Sequence, residues 1–373
     1  MKRLIYGILT KKIKELLLTV LMIVLVLILS GCKNDTEKVE PDIRHKIDQI
    51  IGAYIDESQD PGLTILIYSE SEIHLRKAYG LANVHAGKMF RPETPCFIGS
   101  LSKQFTAMAV MILVEKELIS LQQHIKDYFP EYPDLWKDVT IHQLLTHQSG
   151  ISDYLNDHGY SFDGMTNSDA IDYVIEHGHM NFEPGVMFRY SNTGYIILAE
   201  LVERVSGKPL DQFCKDEIFS PLGMANTYFV NDNNQEPADR AIGHTLNGEI
   251  FDYDIMTNGD GGMISTVDDM LIWDKSLNTS LLVSEETIAD MMSPFADMKN
   301  GAYYGYGWYI DNFNGYDLIS HDGGIAGIFA YAGRIKDKDF YICLFGNSPN
   351  YSLFMDVINE TLDYYFPANS NGS

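Results

Sequence analysis

The chain is short of positive charge and of cysteine, and it lacks the signatures of two common hydrolase classes. It carries 27 Lys and Arg against 52 Asp and Glu, a formal charge of −25. Such a deficit speaks against nucleic acid as a partner and against adhesion of the protein surface to anionic lipid. The four cysteines, Cys32, Cys96, Cys214 and Cys343, show no Cys-x-x-Cys spacing, so neither a zinc site nor a disulfide framework is implied. Cys96, Cys214 and Cys343 read as small buried hydrophobes. There is no Gly-x-Ser-x-Gly elbow and no His-Glu-x-x-His, which leaves α/β-hydrolase and zincin chemistry without their anchors. No metal or other cofactor is expected, and His177-Gly178-His179 has no carboxylate-rich partner pattern.

Positive charge is concentrated at the N-terminus. Lys2, Arg3, Lys11, Lys12 and Lys14 precede an uncharged apolar run from Leu16 to Leu29, then Ser30-Gly31-Cys32. A basic segment, a short apolar core and small residues form a secretory signal. The run is short of the roughly 20 apolar residues a spanning helix needs. Cys32 behind small residues resembles the lipobox of bacterial lipoproteins. That resemblance implies a signal peptide over 1–31 and lipidation of Cys32, with 32–41 as the tether. An uncleaved anchor is the alternative. Either way the domain over 42–368 is expected outside the cell membrane and attached to it. Residues 1–31 hold five of the positive residues and one negative, so the remainder carries 22 against 51, or −29.

With 45% hydrophobic residues the chain can bury a large core. Helical spacing runs over 42–57 at Ile43, Ile47, Ile50, Ile51, Tyr54 and Ile55. Runs 62–69 and 72–79 read as a hairpin. The stretch 121–277 reads as a helical insertion, with helices over 168–176, 193–205, 210–219 and 266–277, the last opened by the capping-box pattern Thr266-Val267-Asp268-Asp269. Strands return over 306–311 and 316–321 around Asn314-Gly315, the preferred two-residue hairpin turn. Strands over 326–335 and 340–345 and a helix over 352–365 follow. Segregated helices and strands predict an α+β fold: an antiparallel sheet built from both ends of the chain, flanked by the N- and C-terminal helices, plus a mostly helical lobe.

Three short motifs carry chemistry. Ser100 and Lys103 lie three apart at the start of an almost wholly apolar helix from Phe105 to Val114. A helix that is apolar all round is buried, and burial lowers a lysine pKa enough to make the amine a base near neutral pH. Residues i and i+3 share a helix face, so Lys103 can reach the Ser100 hydroxyl. Tyr190-Ser191-Asn192 opens a later helix; Tyr190 can exchange protons if cations lower its pKa, and Asn192 can orient Lys103 and a substrate amide. His321-Asp322-Gly323-Gly324 ends a predicted strand, where His321 can orient substrate or support Tyr190 and the glycines let a substrate backbone approach. His147 reads as structural, and Asp252, Asp254 and Asp260 read as a solvated turn without calcium-loop spacing. Trp308 reads as packing or as cleft wall.

Ser-x-x-Lys, Tyr-x-Asn and His-x-Gly in this order resemble the penicillin-recognising serine hydrolases: class C β-lactamases, low-molecular-mass penicillin-binding proteins and their esterase relatives. Leu144-Leu145-Thr146-His147-Gln148-Ser149-Gly150 and Gly261-Gly262-Met263-Ile264-Ser265-Thr266 extend the likeness. The resemblance implies the β-lactamase/DD-peptidase fold, attack by Ser100 on a carbonyl, and base work shared by Lys103 and Tyr190. It also implies substrate contacts from Asn192, His321 and Gly323, and an oxyanion hole from the backbone N–H groups of Ser100 and Gly324. The expected substrate is a small molecule or peptidoglycan-type peptide or ester, making the chain a D-Ala-D-Ala carboxypeptidase or related peptidase or esterase at the cell envelope. The alternatives are a penicillin-binding sensor or wall-modifying protein with little turnover and, more weakly, a class C-like β-lactamase. Class C enzymes have Lys-Thr-Gly at the third motif; His321 and Asp322 depart from it and weaken the β-lactamase reading.

Overall fold

The computed structural model describes residues 42–155, 164–230, 237–254, 257–325 and 327–368. The expected signal segment 1–31 and the tether with Cys32 lie outside the described residues. Among the described residues thirteen strands form in chain order: β1 (Leu63–Ser69), β2 (Glu72–Tyr79), β3 (Leu81–Asn83), β4 (Lys88–Met89), β5 (Cys96–Phe97), β6 (Tyr228–Phe229), β7 (Met263–Ser265), β8 (Ala296–Asp297), β9 (Tyr303–Tyr304), β10 (Tyr309–Phe313), β11 (Tyr316–Ile325), β12 (Ile328–Ile335) and β13 (Phe340–Gly346). Eight of them make one antiparallel sheet in the order β2-β1-β13-β12-β11-β10-β9-β8. Both ends of the chain therefore meet in one sheet, at the β1–β13 pair. This is the α+β arrangement the sequence predicts.

The helices used below are α1 (Ile43–Gly52), α2 (Ser102–Glu115), α3 (Ile141–Leu145), α4 (Asn167–His177), α5 (Asn192–Ser206), α6 (Val267–Ser276), α7 (Glu285–Met291) and α8 (Tyr351–Tyr365). One face of the sheet is covered by α1 and α8, through Ile43, Ile47 and Ile51 against Leu353, Phe354 and Val357. The other face joins the core that contains α2, α3 and α5. Residues 102–113 of α2 are buried on every side, as its all-apolar sequence dictates. The buried thiols of Cys96, Cys214 and Cys343 are free, and burial raises the pKa of each.

Several predicted elements differ: the helix expected over 42–57 ends at Gly52, and the strand expected over 316–321 runs on to Ile325. The strand expected over 306–311 begins only at Tyr309, because Gly307 (φ +83°) turns the chain where it passes the backbone of Lys103 and Gln104. The helix expected over 210–219 changes at Cys214 from α- to π-type winding. The capping box of α6 forms by half. Thr266 accepts from the Asp269 N–H at 3.2 Å, but the Asp269 carboxylate turns to the N–H of Asn226 and the hydroxyl of Thr227. Among the described residues no helix is long and apolar enough to cross a membrane.

Candidate active site

Ser100 sits in a 3₁₀ turn, Gly99–Leu101, that runs directly into α2. Lys103 follows one turn later with no solvent exposure. Its Nζ lies 3.0 Å from Ser100 Oγ, 2.9 Å from Asn192 Oδ1 and 2.6 Å from the carbonyl oxygen of Asp260. Those last two oxygens can only accept. A neutral lysine therefore gives both its N–H groups to them, which leaves its lone pair directed at the Ser100 hydroxyl. Burial lowers the Lys103 pKa to about 8, against an opposing pull from Asp260, Asp153 and Asp322. The arrangement is that of a serine beside an amine able to take its proton near neutral pH.

Asn192 is the first residue of α5, whose N-cap is Ser191. The carboxylate of buried Asp153 receives the N–H groups of Asn192 and Thr193 at that helix end, a favourable place for negative charge. Tyr190 lies one residue outside the cap, with its ring 4.9 Å from Lys103 Nζ. The condition set for Tyr190 by the sequence is not met. Burial drives its pKa well above the usual 10.0, and the hydrogen bond with Ser100 only partly opposes this. Tyr190 is a neutral phenol in this site. It can pass or donate a proton, whereas Lys103 is the group poised to accept one.

The third motif also departs from expectation. His321 is fully buried, and its pKa falls to about 3, chiefly through desolvation and then through Lys103. The neutral ring has Nδ1 against the carbonyl of Asp322 and Nε2 at 2.9 Å from the Tyr304 hydroxyl. A carbonyl only accepts, so Nδ1 carries the proton and Tyr304 donates to Nε2. Both nitrogens have partners within the protein, the Asp322 carbonyl and the Tyr304 hydroxyl. The support for Tyr190 comes instead from His147, whose ring centroid lies 4.3 Å from that of Tyr190 against 6.1 Å for His321. His147 also accepts the Ser191 N–H at Nδ1 (3.1 Å).

Along β11, side chains alternate. Exposed Asp322 therefore leaves the strand opposite to buried His321, although its charge still acts on Lys103, Tyr190 and Tyr309. β10 accompanies β11 only as far as Ser320, so the edge from His321 onward is free of it. The Ser100 turn fills that place. A Cβ on Gly323 would lie 2.0 Å from the Ile98 carbonyl oxygen and 2.9 Å from Ser100 N; one on Gly99 (φ +49°) would lie 2.8 Å from Gly324 N. The backbone of Gly323 and Gly324 thus packs directly against that of Ile98, Gly99 and Ser100, with no room for a side chain at Gly323. A cleft of about 360 Å³ opens here, lined by Ser100, Tyr190, Asn192, Asp260, Gly324 and Ile325.

Asp260 is the residue the sequence misplaces. It is 4% exposed, with its Oδ2 accepting from Tyr154 OH at 2.7 Å, where a solvated turn is expected. Its companion Asp252 pairs with Arg240 at 2.5 Å. Trp308 is core, at 2% exposure. Among the described residues no cluster could hold a metal ion.

Fold and site together define a serine hydrolase of the penicillin-recognising type. Residues 47–358 match the family model described as Beta-lactamase, and the chain belongs to that family. It is 28% identical over 290 residues to penicillin-binding protein 4* of Bacillus subtilis (strain 168), an alignment covering 71% of this chain and 63% of that protein. The chain thus spans under two thirds of that relative's length. Over 335 residues it is 28% identical to the putative penicillin-binding protein PbpX of the same organism, covering 88% and 81%. Among solved structures, the octameric penicillin-binding protein homologue from Pyrococcus abyssi superposes with a TM-score of 0.77 at 29% identity, covering 87% of this chain and 78% of that one. The D-amino acid amidase from Ochrobactrum anthropi SV3 shares the fold, with a TM-score of 0.74 at 21% identity and coverage of 87% and 99%.

Proposed function

We propose that the chain is a cell-envelope serine acyl hydrolase, working through an acyl-enzyme at Ser100 on D-amino-acid peptides or the related amides and esters. The observation that carries this reading is the buried amine of Lys103, 3.0 Å from the Ser100 hydroxyl. In this reading Lys103 takes the hydroxyl proton as Oγ attacks the carbonyl. The N–H groups of Ser100 and Gly324 hold the oxyanion; Tyr190 gives its phenolic proton to the leaving group and takes in its place the proton held by Lys103, and water then releases the acyl group from Ser100. Loss of one such oxyanion donor typically costs about 2.7–4 kcal/mol of barrier. Penicillin-binding proteins among the relatives, and a D-amino acid amidase of the same fold, are in keeping with this substrate class.

Within the class, carbonyl substrates without a free carboxylate suit the cleft better than D-Ala-D-Ala ends. His321 is neutral where a lysine would supply a cation, and the charge of Asp322 acts on the same site. The test is incubation with a p-nitrophenyl ester, a D-amino acid amide, a D-Ala-D-Ala peptide and a penicillin, followed by turnover assay and intact mass. Ester and amide turnover with slow release of terminal D-Ala is expected. Rapid D-Ala release with no ester or amide turnover contradicts the preference. A stable penicillin adduct with no turnover of any substrate supports a sensor instead.

A further inference from the structure

The amine of Lys103 meets backbone on the side away from Ser100. There the chain passes Asn258-Gly259-Asp260-Gly261-Gly262 between α2 and α5. The Gly259 carbonyl accepts from Thr106 Oγ1 at 2.7 Å, and the Asp260 carbonyl accepts from Lys103 Nζ at 2.6 Å. The Asp260 carboxylate is buried with it. Its Oδ2 is held by Tyr154 OH at 2.7 Å, and its Oδ1 has no hydrogen-bond partner among the described residues. Tyr154 is 1% exposed and is fixed in turn by its own N–H, which donates to Thr193 Oγ1 on α5 at 3.0 Å. Tyr154 and Asp260 line the same cleft as Ser100.

A buried carboxylate with one oxygen unpartnered is costly unless an opposite charge stands near it. Burial raises the pKa of the Asp260 carboxyl, and the charge of Lys103 is the leading influence that opposes this. We propose that Asp260 is a positioning residue for the base: its carbonyl fixes the amine of Lys103 between Asn192 and Ser100, and its carboxylate, clamped by Tyr154, is the amine's charge partner. The inference rests on the role given to Lys103 in the preceding section.

The other titratable groups facing Lys103 come from every element around it. They are His147 and Asp153 from the segment after α3, Tyr190 and Tyr195 from the start of α5, and His321 and Asp322 from β11. Asp153 spends its charge on the N–H groups of α5, and Asp322, whose side chain reaches solvent although desolvation raises its pKa, is the weaker influence on the amine. Asp260 heads the groups that favour the charged amine. Removing its charge makes the ammonium harder to keep, so the free amine persists to lower pH.

The experiment measures the acid limb of kcat/KM for ester hydrolysis in the wild type, D260N and Y154F, with S100A run alongside. D260N removes the charge and keeps the shape; Y154F breaks the same buried hydrogen bond and keeps the charge. The acid limb of D260N is expected to move down by about one pH unit, as for loss of one nearby opposite charge, while that of Y154F stays with the wild type. A purely structural role predicts that both variants lose activity with the limb unmoved, and that outcome overturns the proposal. So does an upward shift in D260N. If S100A retains full activity, the reading of Lys103 as the base of Ser100 fails first, and this inference falls with it. Should D260N not fold, D260E tests the same point by keeping the charge: it is expected to retain the wild-type limb, and a downward shift in it contradicts the proposal.

Discussion

At the scale of single residues, the site works by burying an amine and then limiting what that amine can do. Lys103 has three acceptors within hydrogen-bond reach, two of them carbonyl oxygens, so its neutral form has one direction left for its lone pair. Its pKa, lowered to about 8, sets the pH at which this form appears. The deprotonated amine is the working species and accumulates as pH rises. The initial rate of ester hydrolysis at low substrate is therefore expected to climb about tenfold per pH unit below pH 8 and to level off above it. A profile already flat from pH 6 to 9 contradicts the assignment of Lys103 as base. The contact of Lys103 with Ser100 was legible in the sequence because i,i+3 spacing and an apolar helix are local facts, whereas Asn192 carried weight only through the resemblance of the Tyr-x-Asn motif to the family. Asp260 was not legible, since an acid among glycines looks like a solvated turn. Its burial depends on Tyr154, more than a hundred residues earlier. The partners of His321 were not legible for a related reason: that its imidazole is held by the Tyr304 hydroxyl and the Asp322 carbonyl depends on how β9 folds over it.

At the scale of elements, the site is a joint between the 3₁₀ turn before α2 and the open edge of β11. The joint exists because β10 stops at Ser320 and because Gly99 and Gly323 lack side chains where the two backbones meet. Gly323→Ala would place a methyl 2.0 Å from the Ile98 carbonyl oxygen and force the turn away from the strand. The expected result is a fall in kcat of about 10²–10³, the usual cost of one oxyanion donor, with the fold retained by circular dichroism. Unchanged kcat in Gly323→Ala means that the pairing of Ser100 N with Gly324 N is not used. The hairpin at Asn314-Gly315 was readable from the sequence, and both residues adopt positive φ as such a turn demands. The late start of β10 was not readable. It follows from the contact of Gly307 with the backbone of Lys103 and Gln104, which sequence spacing does not encode.

At the scale of the whole molecule, the sheet assembles from the two ends of the chain, with the helical segment supplying the far wall of the cleft. That plan was readable because strand patterns flank a long helical stretch. The pairing order was not, since β1 meets β13 across more than 270 residues. We propose that the N-terminal segment holds the chemistry of Ser100 at the outer side of the cell membrane through a lipid on Cys32. Cys32→Ser is expected to move the protein from the membrane fraction to the medium while leaving specific activity unchanged; retention in the membrane fraction argues for an uncleaved anchor instead. The central claim concerns one atom, the Ser100 hydroxyl oxygen. It is tested most directly by quenching the reaction with penicillin or ester and mapping the mass increment by peptide sequencing. The account predicts an acyl increment on the peptide containing Ser100, absent in Ser100→Ala; an increment on another residue, or full activity in Ser100→Ala, contradicts it.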